Sequence, residues 1–132
     1  MKKPKKTKEA TKDQMLAWFE IPALNLERAI SFYSAVLNIS FETINTSSHS
    51  MAFFPKDSGV GGAIVFGDGC VPSSAGSLLY LNAGSNLEQT LKRVLEVGGQ
   101  VVMDKTLLGD DVGHFSLILD TEGNRIALFT RD

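Results

Sequence analysis

The sequence predicts an α+β domain in which one βαβββ module occurs twice. From Met15 onward, strand-like and helix-like segments follow the order strand, helix, strand, strand, strand, and this order then repeats. Asn25 and Asn86, which precede the two predicted helices as N-caps, lie 61 positions apart (86 minus 25). This period is too long for a solenoid repeat and indicates a duplicated module.

The first module is predicted at about residues 15–67. Residues 16–22 alternate as a strand does, and residues 41–46, 51–54 and 63–66 supply the other three strands. Between the first two strands, apolar residues recur at helical spacing, and Asn38 suits the left-handed conformation that often ends a helix. The apolar helix positions are Leu26, Ala29, Ile30, Tyr33, Val36 and Leu37.

The second module is predicted at about residues 77–131. Its first strand covers residues 78–82, and its helix should end at Gly98 and Gly99. Residues 101–103, 114–120 and 125–130 complete the strand order. The apolar helix positions are Leu87, Leu91, Val94 and Leu95.

The composition is that of one soluble globular domain. The 132 residues are 43% apolar, and no apolar run approaches the roughly 20 residues that a membrane span needs. The N-terminus has no apolar stretch of the kind found in signal peptides, so we expect a cytoplasmic protein. Cys70 is the one cysteine, which excludes an internal disulfide, and its place beside Gly69 favours a loop thiol over a nucleophile.

Residues 1–14 form a basic leader with six lysines against Glu9 and Asp13. The remaining chain has seven basic and thirteen acidic residues, so the predicted domain is acidic. A tail of this kind could touch nucleic acid or an anionic surface, but it has no Arg and no aromatic residue on which bases stack. We therefore interpret residues 1–14 as a disordered, solubilising leader and expect no nucleic-acid or membrane partner.

Three motifs in a fixed order resemble a known superfamily. They are Phe19-Glu20-Ile21-Pro22, then Asn25-Leu26-Glu27-Arg28-Ala29 followed by Phe32-Tyr33, and finally Asp120-Thr121-Glu122-Gly123-Asn124 in the last hairpin. Together they resemble the vicinal oxygen chelate superfamily of glyoxalase I, extradiol dioxygenases and bleomycin-resistance proteins. The resemblance covers Met15 to Arg131. It implies a curved, cup-like mixed sheet with helices on the convex side, and a homodimer.

The resemblance also implies where a metal site would lie. Metal-dependent members take four ligands from the first and last strands of each module, and these positions carry over to Trp18, about Leu78, Ala127, and Ala63 or Ile64. None of these side chains has an imidazole, carboxylate or thiolate group, so we expect no metal and no cofactor. A site built instead from His49, His114 and Glu20 would require all three to converge, which their spacing does not demand.

Strand alternation sorts the side chains into two sets. The apolar set is expected to face the helices and consists of Phe19, Ile21, Leu79, Leu81, Phe115, Leu117 and Leu119. The other set is expected to line the cup and consists of Trp18, Glu20, Tyr80, Asn82, His114 and Ser116. Because small-molecule sites are typically lined by aromatic residues with a few polar groups, we interpret the second set as a ligand-binding surface.

Three functions fit these residues. The first is a small-molecule-binding protein of glyoxalase/bleomycin-resistance type that lacks the usual metal ligands. The second is a glyoxalase- or dioxygenase-like lyase or oxidoreductase with non-standard metal ligands. The third is a metal-free acid–base enzyme using Glu20, the candidate catalytic residue, whose carboxylate lies mid-strand among apolar neighbours. The missing ligands favour the first.

Deleting residues 1–14 should change the free energy of unfolding by less than about 0.5 kcal/mol, the range of ordinary surface changes. A lysine-rich segment without apolar periodicity cannot bury enough surface to offset the entropy of ordering it. Urea denaturation of the full and shortened chains measures the difference. A larger loss would show that the leader docks on the acidic domain.

Overall fold

The computed structural model describes residues 15–56 and 59–132, so the predictions on residues 1–14 lie outside the described residues. The predicted order of elements is confirmed. The first module contains β1 (Trp18–Pro22), α1 (Leu26–Leu37), β2 (Glu42–Asn45), β3 (His49–Phe53) and β4 (Gly61–Gly67). The second contains β5 (Tyr80–Asn82), α2 (Leu87–Glu96), β6 (Gln100–Gly109), β7 (Gly113–Leu119) and β8 (Arg125–Thr130). No helix among the described residues is long and apolar enough to cross a membrane.

Each module forms a four-stranded mixed sheet, which confirms the predicted α+β class. The strand order is β1-β4-β3-β2 in the first sheet and β5-β8-β7-β6 in the second. In both, the first strand runs parallel to the last strand of the module, and the other pairs are antiparallel. The helix that links the first two strands is the crossover that such a parallel pair requires.

Strand β6 is the largest departure from the predicted elements. It was expected to end at Met103, yet it continues to Gly109 through register irregularities opposite β7. Asp104 and Lys105 interrupt the apolar pattern, so the sequence does not predict that the strand continues past Met103. Because β6 is at the edge of its sheet, polar side chains can extend into solvent without breaking the ladder to β7.

Asparagine caps begin both helices, as predicted. The Asn25 side chain accepts a hydrogen bond from the Arg28 backbone N–H at 3.0 Å, and Asn86 accepts one from the Gln89 backbone N–H at 3.1 Å. Helix α1 ends at Asn38, whose φ of 57° is the left-handed conformation expected there. These local signals place each helix between the first two strands of its module.

Both helices pack on the sheets and on each other around one apolar core. Helix α1 buries Ala29, Phe32, Tyr33 and Val36, whereas α2 buries Leu87, Thr90, Leu91 and Val94. The helix side of each sheet completes the core, for example through Ile21 and Leu81. We call the opposite side of each sheet its open face.

The predicted faces are right for β1 and β5. Ile21 and Leu81 are buried on the helix side, whereas Trp18 is 44% exposed and Tyr80 is 45% exposed on the open faces. Glu20 and Asn82 are exposed on the same faces as these two aromatic residues.

The predicted faces are wrong for β7. Ser116 lies directly opposite Leu128, and both are fully buried against the helices, as is Ile118. His114 and Ser116 therefore point to the helix side, and Phe115, Leu117 and Leu119 point to the open face. The ring of Phe115 lies 5.7 Å from that of Tyr80. The rule that the more apolar set faces the core fails here because both faces of the second sheet are apolar.

The turn between β7 and β8 joins the second module to the first. The Tyr33 hydroxyl donates to Asp120 Oδ2 at 2.6 Å, and Asp120 Oδ1 accepts from the backbone N–H groups of Glu122 and Asn124. The Asn124 side-chain amide donates to the Pro22 carbonyl at 2.7 Å. Burial, the charge of Asp120 and this hydrogen bond all raise the pKa of Tyr33, which keeps its hydroxyl a donor.

Glu122 completes this connection at the start of α1. Its Oε1 accepts from the backbone N–H groups of Leu24 and Asn25 at 2.8 and 2.9 Å, and its two oxygens accept from the Arg28 guanidinium at 2.7 and 2.9 Å. Together, Asp120, Glu122 and Asn124 with their partners Tyr33, Arg28, Pro22, Leu24 and Asn25 form what we call the polar clamp.

The clamp changes the acidity of Glu122. Burial by itself would raise the pKa of this carboxyl, since the side chain is almost wholly covered. Hydrogen bonds from Arg28, the Asn25 backbone, Thr121 and the Leu24 backbone outweigh burial and lower the pKa from 4.5 to about 2. The carboxylate is therefore charged at neutral pH and is satisfied by several donors.

Replacing Glu122→Gln should reduce stability at pH 7 by about 3 kcal/mol, the free energy that corresponds to the lowered pKa. Because the folded-state pKa lies below the unfolded value, this contribution is present above pH 4.5 and is lost as pH falls toward 2. Denaturant midpoints from pH 7 to pH 2 measure it. Glu96→Gln, at an exposed position of α2, is the control. If the denaturant midpoints of wild type and Glu122→Gln change equally with pH below 4.5, the lowered pKa does not belong to Glu122.

Phe32→Ala should cost about 3–5 kcal/mol, as expected for a buried core aromatic residue. Trp18→Ala and Phe115→Ala should each cost less, because both side chains lie on open faces and keep solvent contact. Thermal or urea unfolding of the three variants gives the order. A loss for Phe115→Ala as large as that for Phe32→Ala would mean that the β7 side chains face the other way.

Candidate functional site

The open face of the first sheet has a shallow floor of small residues beside aromatic rings. Ala63 lies between Glu20 on β1 and Phe53 on β3, and Glu42 lies on the far side of Phe53. Gly61 lies opposite Trp18, and a Cβ atom at Gly61 would come within 3.0 Å of the indole ring. The indole therefore lies over Gly61, where any larger residue would displace it.

Trp18 is oriented by two contacts. Its indole N–H donates to Glu20 Oε2 at 3.2 Å, and its ring meets Phe53 edge-on with centroids 6.1 Å apart. Edge-to-face pairs of this kind stabilise by about 0.5–1.5 kcal/mol beyond the area they bury. These contacts hold the exposed indole in one position rather than leaving it free in solvent.

Two adjoining cavities lie beside this tryptophan. The larger has a volume of 650 Å³ and is lined by Trp18, Phe41, Phe53 and Phe54, with Glu42 and Lys56 among the polar residues. The smaller has a volume of 240 Å³, shares Trp18, Phe53 and Phe54, and extends over Gly61. We call the two together the Trp18 cavity.

Tyr80 and Asn82 line a different cavity. It has a volume of 570 Å³ and lies between the two modules, where Leu16 and Phe19 meet the residues that lead into β5. The Asn82 side-chain oxygen accepts from the Gly84 backbone N–H at 2.9 Å. We call this space the junction cavity. The structure thus separates Trp18 from Tyr80 and Asn82, which the sequence had placed on one ligand surface.

The two histidines do not join the Trp18 cavity. His49 Nε2 lies 3.1 Å from the Asp68 carbonyl oxygen, and its Nδ1 lies 2.9 Å from Ser48 Oγ. His114 is on the helix side of β7, where its Nδ1 lies 3.0 Å from a backbone oxygen of Asp132. Ser116 is fully buried on that side and cannot line the cup.

The residues that the resemblance places at metal positions do not fit a metal ion. Ala63 lies opposite Glu20 and Ala127 lies opposite Tyr80, and both alanine side chains are fully buried methyl groups. The Leu78 side chain consists of carbon alone, and the Trp18 side chain adds only an indole N–H. None of these groups donates an electron pair to a cation. Within residues 15–56 and 59–132, no three His, Cys, Asp or Glu side chains form a group that could hold a metal ion.

Cys70 lies in the connection that follows β4. Partial burial raises the pKa of its thiol, and the negative charges of Glu20 and Asp68 raise it further. A thiol with a raised pKa is mainly protonated at neutral pH and is a weak nucleophile. This environment supports the interpretation of Cys70 as a loop thiol.

Sequence reasoning missed Phe41, Glu42, Phe53 and Lys56 in the cavity lining. The alternation along β3 contained a signal for Phe53, because buried Ala52 lies next to it and neighbouring strand residues point to opposite faces. The short β2 and the loop after β3 offered no such pattern. Their place beside Trp18 depends on how β2 pairs with β3.

Comparison with known proteins agrees with this geometry. No family model matches the chain. A glyoxylase-like domain-containing protein of Didymella fabae is 33% identical over 121 residues, which cover 88% of this chain and 93% of that protein.

Solved structures show the same fold at low identity. A glyoxalase/bleomycin resistance protein from Albidiferax ferrireducens T118 is similar with a TM-score of 0.66 and 19% identity, covering 90% of this chain and 100% of that one. A glyoxylase/bleomycin resistance protein/dioxygenase domain from Frankia sp. EAN1pec has a TM-score of 0.67 and 13% identity, covering 93% and 100%. With its paired βαβββ modules and this similarity over most of its length, the chain belongs to the glyoxalase-like family of the vicinal oxygen chelate superfamily.

Proposed function

We propose that this chain binds a small aromatic or apolar molecule without a metal ion, in the Trp18 cavity. The observation that carries the proposal is the 44% exposed indole of Trp18, held over Gly61 by Glu20 and Phe53. A large aromatic residue held rigidly beside a hollow loses little conformational entropy when a ligand packs against it.

The chemistry of the lining supports an aromatic ligand. Four aromatic rings surround the larger part of the Trp18 cavity, and polar groups are few, which is the usual composition of small-molecule sites. Glu42 and Lys56 belong to its lining and would orient polar groups of the ligand. Gly61 lines the smaller part of the cavity and leaves room beside the indole, where a larger side chain would project.

The two enzyme alternatives have less support from the geometry. A lyase or oxidoreductase with non-standard metal ligands would need His49, His114 and Glu20 together, but His114 lies on the helix side of its sheet. An acid–base enzyme would use Glu20, whose Oε2 accepts the Trp18 indole N–H at 3.2 Å. That contact suits a residue that orients the tryptophan.

We also propose that the protein forms a homodimer through the open face of the second sheet. Met103 is 41% exposed there, beside the partly exposed Phe115 and Leu117. A contiguous apolar surface of this kind is usually covered by a partner. Tyr80 and Asn82 remain proposed ligand contacts, and the cytoplasmic location stays a prediction.

Titration of the protein with a library of small aromatic compounds should change Trp18 fluorescence, since Trp18 is the only tryptophan. For any compound that does so, Phe53→Ala should weaken binding by about 3- to 30-fold, the equivalent of 0.7–2 kcal/mol for lost aromatic contact. Phe115→Ala is the matched control, because Phe115 is an aromatic residue on the open face of the other sheet. This variant should bind the compound as wild type does.

Elemental analysis of the purified protein separates this proposal from the metal-dependent alternative. We expect no stoichiometric Zn, Fe, Mn or Ni, and no change in melting temperature on adding a chelator. One tightly bound metal per chain, or an indole that neither a quencher nor any compound reaches, would refute metal-free binding at Trp18.

A further inference from the structure

The two modules have equivalent turns before their last strands. Phe53 lies opposite Ala63, and Leu117 lies opposite Ala127, so ten positions separate the paired residues in each module (63 minus 53 and 127 minus 117). Each turn also contains one glycine with nearly the same positive φ, 99° at Gly59 and 98° at Gly123. The described residues of the first turn, up to residue 56 and from residue 59 onward, therefore correspond in position to residues of the second turn.

Among the described residues of the first turn, none carries a side chain of the polar clamp. Val60 stands where the second module has Asn124, and Lys56 stands where it has Asp120. The helix partner is also replaced, because Val94 of α2 corresponds to Tyr33 of α1 when the N-caps Asn86 and Asn25 are aligned. A second clamp cannot form from these residues.

The junction cavity occupies the place of the missing clamp. The turn after β7 packs on Pro22 at the end of β1, whereas the equivalent turn after β3 presents Pro55 and Val60 toward β5 across a space of 570 Å³. Ten of the twelve residues that line this space are apolar, and the other two are Tyr80 and Asn82. Among the described residues, its lining has no charged side chain.

We propose that the junction cavity is a second binding site, separate from the Trp18 cavity, for an uncharged and mainly aliphatic molecule with one hydrogen-bonding group. Its volume is typical of ligand sites, about 300–1,000 Å³. The aliphatic part packs against Phe19, Leu79 and Val60, and the polar group meets the Tyr80 hydroxyl or the Asn82 amide. A charged group there would lose its hydration without an opposite charge to replace it.

Calorimetric titration with 1-octanol, octanoate and octylammonium tests the class of ligand. These probes share one chain length and differ in charge. We expect 1-octanol to bind, and both ions to bind at least tenfold more weakly. Equal affinity for either ion, or no binding of 1-octanol, would overturn the proposal. Trp18→Ala should leave octanol binding unchanged, so failure of the Trp18 site and failure of this site are distinguishable.

Two Val→Trp variants and Tyr80→Phe test where octanol binds. Val60→Trp fills the cavity and should abolish octanol binding, whereas Val71→Trp, at an exposed position outside the lining, should bind as wild type does. Circular dichroism establishes that both variants fold. Tyr80→Phe keeps the ring and should weaken binding about two- to tenfold through one lost hydrogen bond.

Two further results would count against a ligand site. Unchanged octanol binding in both Val60→Trp and Tyr80→Phe would place the octanol elsewhere. If sedimentation shows a wild-type dimer that Val60→Trp converts to monomer, the cavity is a contact between two copies of the chain rather than a small-molecule site.

Discussion

The arrangement of the two modules depends on two carboxylates buried in the β7–β8 turn. Asp120 and Glu122 are 5% and 6% exposed. The donors that satisfy them include Tyr33, Arg28 and the backbone N–H groups of Leu24 and Asn25, just before α1. A buried carboxylate without such donors would cost several kcal/mol. The turn is therefore stable only when the first module is folded against it, and this couples the two modules.

This coupling gives the superfamily motif a structural role that does not depend on a metal ion. Asp120 and Asn124 of that motif hold the turn to Tyr33 and Pro22, so the fold requires them whatever the chemistry of the site. Ala127, which the resemblance places at a ligand position, is fully buried opposite Tyr80 and makes no contribution to the clamp. The motif therefore indicates how the modules pack. It does not by itself indicate whether the protein binds a metal.

A clamp at one end of the module junction leaves the other end open. The apolar turn residues Pro55 and Val60 face β5 across the junction cavity, while Trp18 faces a separate hollow on the first sheet. Each module therefore offers a different environment, with aromatic rings and flanking charges around Trp18 and uncharged, mainly aliphatic surface at the junction. The two modules have similar folds, and the differences between their turns make the two cavities distinct.

The sequence by itself determined the order of elements, the helix caps and the faces of β1 and β5, because spacing and capping act within a few residues. It could not determine the faces of β7, since Ser116 is buried and Phe115 is partly exposed, against their hydrophobicity. Nor could it place Phe53 and Glu42 beside Trp18, or separate Tyr80 from that group. Those relations depend on the pairing of β1 with β4, which are distant in the chain, and on a clamp whose two sides are about 90 residues apart. Only the tertiary structure decides them.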